Sequence, residues 1–222
     1  MLLAIDTSTR LVGVALYDGV QIVSEMVWLS QQYHTVELAP TVSAVMERAG
    51  IPMSDLEVLA VALGPGSFTG LRIGLSLVKG MALAGHLAVV GVPSLDVLAA
   101  SQPPNDIPLV AILRAGRGRL AASWYKHHAR RWQSDKNVII LNAQELAAKI
   151  TTPTIVCGEL TEQERRIFKR KRKNVLLASP AQSLRRPSFL AEIGWQRWQK
   201  GMTDDPATLT PFYLQQAQSN PG

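Results

Sequence analysis

The sequence predicts an α/β protein of two lobes, each a mixed β-sheet with flanking helices, the second lobe a degenerate copy of the first. Three observations carry this expectation. The chain opens with three apolar, strand-like runs joined by tight turns, then changes to helical spacing. From there buried strands and helices alternate, the pattern of parallel pairing. After a linker of turn-forming composition, SQPPNDIP at 101–108, the same succession of elements recurs.

Taken in order, residues 2–6 are an apolar run ending in the carboxylate of Asp6, and Thr7-Ser8-Thr9 reads as a turn. Residues 12–17 resume a strand, Asp18-Gly19 is a hairpin signal, and residues 21–28 make a third strand. From 37 to 49, Leu38, Val42, Val45, Met46 and Ala49 recur at helical spacing. Pro40 is tolerable there only in the first turn, and Gly50 stands where a C-cap belongs. Residues 57–63 read as a buried strand, 88–92 as another, and 94–100 as a helix. Beyond the linker, residues 109–113, 120–125 and 137–141 read as strands, with His127 and His128 in a turn. Residues 143–150 are helical, 154–157 a strand, 161–169 a helix, 175–178 a last strand and 188–199 a long helix. The end of the chain, QQAQSNPG, has the composition of a disordered tail. The boundary falls in the linker, giving a first lobe at 1–103 and a smaller, divergent one at 104–222. A βββαβαβα succession is the ribonuclease-H-like unit. Two such units back to back resemble the architecture of actin, sugar kinases and Hsp70, an analogy of fold that does not by itself give function.

Composition narrows the function classes. The lone Cys157 cannot form an internal disulfide, which fits a reducing cytoplasm. The chain begins directly with a strand-like MLLAID, without the pattern of a signal peptide. No run of about 18 uncharged apolar residues suits a membrane helix. Of the 23 basic residues, Arg165, Arg166, Lys169, Arg170, Lys171, Arg172 and Lys173 crowd into nine positions. Without those seven, 16 basic residues stand against 17 acidic ones, so the excess charge is one local block. Such a block reads either as a solvated helix end or as a surface that tracks nucleic-acid phosphates.

The longest motif is GPGSFTGLRIGLSLVKGMALAG at 64–85. Glycines turning into a helix whose first residues include Ser67 and Thr69 resemble a phosphate-binding loop. A nucleotide P-loop, however, needs Lys and Ser/Thr directly after its last glycine. Here Gly70 is followed by Leu71 and Arg72, and the first lysine is Lys79. The helix carries two apolar stripes. Leu71, Leu75, Val78 and Ala82 form one, and Ile73, Leu77, Met81 and Ala84 the other, with Gly70, Gly74 and Gly80 beside the second. One stripe lies on a sheet. The other is covered either by a neighbouring helix of the same chain or by another protein chain.

IDTST at 5–9, HTVELAP at 34–40, GPGSFTGLRIGLSLVKG at 64–80, GVPSL at 91–95 and PFYL at 211–214 resemble the TsaB family. The resemblance is strong over the first hundred or so residues and weak beyond them. It implies an accessory, non-catalytic subunit of the bacterial machinery that forms N6-threonylcarbamoyladenosine in tRNAs reading ANN codons. It also implies a heterodimer with a TsaD-like transferase, a contact with a TsaE-like ATPase, and a homodimer when the chain is alone. The helices after the histidine block and after the glycine-rich turn would then form the interface, through Leu38, Val42, Val45, Gly70, Ile73, Gly74, Leu77, Met81 and Ala84. Asp6, Thr7, Gly64, Gly66 and Ser67 would be vestiges of a nucleotide or phosphate site. ATP or ADP and a metal would belong to the partner subunits, with none held by this chain alone. Residues 114–119 depart from the family, reading RAGRGR where it often carries DARRGE.

The catalytic paralogue implied by the resemblance holds a metal through a histidine pair. The matching positions here are Ser94 and Leu98. His34 has no second ligand at metal spacing. Asp6, which in kinases of this architecture would serve a metal-bound nucleotide, reads as a hydrogen-bond partner of its own turn. The competing functions are an ATP-dependent phosphotransferase of the actin and sugar-kinase group, using Asp6 and the Gly64–Gly66 turn, and a peptidase. Against the peptidase stands the absence of a base to activate Ser67.

Overall fold

The computed structural model describes residues 1–31, 34–116, 118–129 and 131–213, so the expected tail and Arg117 of the RAGRGR run lie outside the described residues. In the first lobe, β1 (Leu2–Asp6), β2 (Leu11–Tyr17) and β3 (Ile22–Leu29) form an antiparallel meander. They are followed by α1 (His34–Ala49), β4 (Val58–Ala62), α2 (Phe68–Gly85), β5 (Ala88–Val92) and α3 (Ser94–Ala100). The sheet runs β3-β2-β1-β4-β5, with β4 parallel to both β1 and β5.

The second lobe repeats this plan. It comprises β6 (Leu109–Arg114), β7 (Leu120–His128), β8 (Arg131–Ser134), β9 (Ile139–Leu141), α4 (Ala143–Lys149), β10 (Thr154–Gly158), α5 (Glu162–Lys169), β11 (Val175–Leu177) and α6 (Pro187–Trp198). Its sheet runs β11-β10-β6-β7-β8, the same succession as in the first lobe, and β9 pairs with β7. Both sheets are mixed and flanked by helices, the expected pair of ribonuclease-H-like units.

The last helix of each unit is exchanged. Leu95, Leu98 and Ala99 of α3 pack in a cluster with Leu109, Ala111 and Leu113 of β6, on the second sheet. Leu190 and Ala191 of α6 pack with Leu2, Ala4, Ala15 and Ala60, on the first. Helix α6 thus follows the second lobe in sequence yet completes the first in space. The exchange ties the two lobes together through their cores.

Local differences from expectation have physical reasons. Helix α1 begins at His34 rather than Glu37, so Pro40 lies inside it. Proline removes one helical hydrogen bond, and the carbonyl deprived of it belongs to Val36, an exposed residue whose backbone water can reach. The α1 terminus is a Schellman motif. Gly50 has φ +67°, its N–H donates to the Glu47 carbonyl, and the Ile51 N–H donates to that of Met46. His127 and His128 end β7 instead of lying in a turn, and β8 was not expected. Edge strand β8 alternates Arg131 and Gln133, both exposed, with half-buried Trp132 and Ser134, so it has little apolar periodicity to read. No helix of the described residues is long and apolar enough to cross a membrane.

Candidate functional site

The glycine-rich turn is built against the turn that follows β1. The Ser67 N–H donates to the Ser8 carbonyl at 2.6 Å, and the Thr7 hydroxyl donates to the Gly70 carbonyl at 2.7 Å. Ser94 closes the far side. Its hydroxyl lies 2.5 Å from that of Ser8 and accepts the Gly64 N–H at 3.0 Å, while its own N–H donates to the Gly64 carbonyl. The space explains the glycines. A Cβ on Gly66 would stand 2.1 Å from the Ser8 carbonyl oxygen, one on Gly70 2.3 Å from that of Thr7, and one on Gly74 2.2 Å from the Thr7 hydroxyl. Ser67 rather than Thr69 caps α2, by accepting the Gly70 N–H. Asp6, Thr7, Gly64, Gly66 and Ser67 therefore do come together, but their polar groups and their space are taken by one another. As arranged, they do not fit the phosphates of a nucleotide.

Asp6 is further engaged. One carboxylate oxygen accepts the Ser8 N–H, as the sequence suggests. The other accepts Nε of Arg185 at 2.5 Å, from a residue 179 positions away. The same guanidinium bonds Glu159, the Thr9 hydroxyl and the Leu11 carbonyl. The Arg185 and Asp6 side chains are each only 1% exposed. Burial alone would lower the pKa of Arg185, but the charges of Asp6 and Glu159 outweigh it and hold the guanidinium above its ordinary value. A cation of the protein thus occupies the carboxylate that a metal-bound nucleotide would require. Sequence reasoning missed Arg185 and Glu159, since neither stands in a motif with Asp6.

The positions that match the metal-ligand pair of the catalytic paralogue serve the fold here. Ser94 is the hydrogen-bonded clasp described above, and Leu98 is fully buried in the core. Among the described residues, no three His, Cys, Asp or Glu side chains cluster so as to hold a metal ion. Cys157 is buried, and burial pushes its thiol up, away from the reactive thiolate.

The expected interface residues other than Ala84 divide into three groups. Gly70 and Gly74 face Thr7 of their own chain, so they leave no room for a partner helix. Leu38, Val42 and Val45 are buried in the first-lobe core, because α1 lies across β2 and β3 beside α2. Ile73, Leu77 and Met81 are half-buried against that same core. What remains open is a groove of about 480 Å³ between α1 and α2, lined by Ala39, Val42, Ser43, Met46, Leu77 and Met81 among others. Beside it lies the outer face of α2 with Ser76, Gly80, Leu83 and Ala84, all exposed. Leu83 is 80% exposed, and a Cβ on Gly80 would meet nothing within 4 Å.

The PFYL motif straps the start of α2. The Phe212 N–H donates to the Leu63 carbonyl at 2.7 Å, and Arg72 Nε donates to the Tyr213 hydroxyl at 2.8 Å. The Tyr213 ring lies 5.0 Å from that of Phe68, over which Arg72 sits at 3.8 Å. Upstream, the Asp204 N–H pairs with the Val89 carbonyl and so covers the outer edge of β5.

A cleft of about 930 Å³ opens between α3, α6 and the β7–β8 hairpin, and the sequence did not announce it. Asp96 lies in its wall and accepts the Tyr125 hydroxyl at 2.8 Å. Burial raises the Asp96 pKa despite that hydrogen bond and the neighbouring Arg197. An acid whose folded-state pKa is raised costs stability once ionised. The cost is absent below the unfolded carboxylate value, about 3.9, and grows as pH rises through the folded one. Asp96→Asn, which keeps an oxygen for Tyr125, should therefore raise the Tm at neutral pH, with the gain fading in acid. A gain of equal size at every pH would contradict this assignment.

The two arginines that replace carboxylates in the 114–119 run have structural partners. Arg114 pairs with Glu164 at 3.1 Å, and Arg119 donates to the Ile140 carbonyl. In the basic block, Arg165 donates to the Ala178 carbonyl and Arg166 to Glu162, while Lys169 to Lys173 are exposed.

With this geometry in hand, similarity to known proteins becomes informative. The family model described as "TsaD: tRNA N6-adenosine threonylcarbamoyltransferase" matches residues 28–147. The "tRNA threonylcarbamoyladenosine biosynthesis protein TsaB" of Bacillus subtilis (strain 168) is 29% identical over 226 residues, covering 98% of this chain and 95% of that protein. The protein of the same name from Escherichia coli (strain K12) is 39% identical over 99 residues, 44% of this chain and 42% of that one. The solved structure of YeaZ from Pseudomonas aeruginosa superposes with a TM-score of 0.77 at 25% identity, covering 96% of this chain and 99% of that one. Sequence motifs, the two-lobed fold and these matches agree: the chain belongs to the TsaB family, within the wider TsaD-like group that the family model describes.

Proposed function

We propose that this chain is a non-catalytic subunit that binds a TsaD-like transferase in the formation of threonylcarbamoyladenosine on tRNA. The observation that carries the reading is the Arg185–Asp6 pair. It supports a fold that has kept two kinase-like lobes while filling the place of catalysis with its own side chains. The use of Ser94 and Leu98 as clasp and core points the same way. ATP and a metal belong, in this reading, to the TsaD-like and TsaE-like partners, and the assembly works in the cytoplasm.

The partner surface is the α1–α2 groove together with the exposed outer face of α2. Apolar faces of this kind mark protein contacts, and the same face would pair two copies of the chain about a two-fold axis when the transferase is absent. Gly80 is the probe. A Cβ added at Gly80 meets nothing within 4 Å, and Gly80→Leu gains helix propensity, up to about 1 kcal/mol. It should leave the thermal melt intact and abolish co-elution with the TsaD-like transferase of the same organism on size exclusion. Full capture by Gly80→Leu would place the interface elsewhere. Failure of the unaltered chain to capture the transferase, or ATP turnover by the pure chain that is lost on Asp6→Ala, would overturn the reading in favour of a phosphotransferase.

A further inference from the structure

We propose that the turn between α5 and β11 is a docking surface for the phosphate backbone of a folded RNA. This rests on the reading above only for the identity of that RNA as the tRNA to be modified. From 165 to 191 the chain has no acidic residue and nine arginines and lysines. The fold separates these nine by task. Arg165 holds the Ala178 carbonyl, Arg166 pairs with Glu162, Arg185 with Asp6 and Glu159, and Arg186 with Glu25. The remaining five, Lys169 to Lys173, are exposed, and none has an ion-pair partner among the described residues.

These five cations stand on a fixed turn. The Lys171 N–H donates to the Phe168 carbonyl, and the Lys171 carbonyl accepts the N–H groups of both Asn174 and Val175 at 2.9 Å. Phe168 and Val175 anchor the two ends in the second-lobe core. The Asn174 side chain ties the turn to the Thr151 carbonyl. Helix α5 ends at Lys169 with Arg170 as its C-cap, so of the five only these two gain from the negative end of the helix dipole. The other three are like charges held side by side, an arrangement that a polyanion relieves by releasing its own counterions.

A membrane surface is the less fitting polyanion. Next to the run, Phe168 is fully buried and only Leu176 is half exposed, so the turn offers a single apolar side chain rather than an apolar face to insert. The run also sits on the second lobe, where α5 packs on α4 and β11, whereas α1 and α2 lie on the first. RNA and a protein partner can therefore be held at once.

The test uses the full chain and a variant carrying Arg170→Gln, Lys171→Gln, Arg172→Gln and Lys173→Gln, titrated with a fluorescent tRNA transcript over a salt series. The variant should bind at least about tenfold more weakly at low salt, and its plot of log K against log salt should be shallower by about 3–4. Its melt and its capture of the transferase should not change. Unaltered affinity and slope overturn the proposal, as does tighter binding of the unaltered chain to vesicles of equal parts phosphatidylglycerol and phosphatidylcholine than to tRNA. The slope is measured on the chain by itself. Failure of the unaltered chain to capture the transferase therefore counts against the proposed function alone, and an unchanged slope with capture intact counts against the RNA surface alone.

Discussion

Arg185→Leu should lower the stability of the chain by about 3–5 kcal/mol, the usual cost of leaving a buried charge without its partner. In a chain of 222 residues that corresponds to a fall in Tm of roughly 6–20 °C. The loss arises because Asp6 is sealed in the core with a guanidinium as its only ion-pair partner among the described residues, and because Arg185 also donates to the Leu11 carbonyl. The pairing makes a second, sharper expectation. With Asp6→Leu added, the double variant should recover part of the loss, since a buried pair replaced whole by apolar groups is often neutral. Chemical denaturation of the parent chain and the two variants checks this. A single variant within about 0.5 kcal/mol of the parent, typical of a surface change, would mean that the pair does not close the lobes.

The second large effect is a contrast of sign within one helix. Gly70→Ala should destabilise by about 3 kcal/mol, at the upper end of overpacking, because its Cβ would stand 2.3 Å from a backbone carbonyl that cannot rotate away. Gly80→Ala, ten residues on and in open space, should stabilise by up to about 1 kcal/mol through helix propensity. The family resemblance implies that Gly70 and Gly74 lie on the interface with a partner chain. The structure reverses that expectation for Gly70 and Gly74. Gly74→Leu should fail to fold, since the Thr7 hydroxyl fills the space at 2.2 Å. Equal melts for Gly70→Ala and Gly80→Ala would contradict the packing described.

These cases show which parts of the molecule the sequence could disclose. Short elements with near-continuous apolar runs were legible to the residue, as with β5 and α3. So were the caps at Ser67 and Gly50, whose signals are local. Helical spacing located both stripes of α2 and marked the glycines as places of close approach. It could not say what approached them, because Thr7 and Ser8 arrive from a turn some sixty residues earlier. Arg185 and Glu159 were illegible for the same reason. Each is an ordinary charged residue until the fold brings it to Asp6. The exchange of α3 and α6 left no trace in periodicity, since a helix shows its apolar face but not which sheet it covers. The phosphate-loop appearance of residues 64–70 reflects this ambiguity. Glycines that let a backbone approach a phosphate also let it approach another backbone, and only the coordinates of Ser8 distinguish the two.

The most direct test of the central claim is the formation of threonylcarbamoyladenosine in a tRNA transcript by the TsaD-like transferase and TsaE-like ATPase of the same organism, with and without this chain. The account predicts no product from the chain alone, and product from the full mixture that is lost when Gly80→Leu replaces the parent chain. Product formed by the chain alone, or transferase activity indifferent to its presence, would contradict the assignment of this protein as the non-catalytic partner.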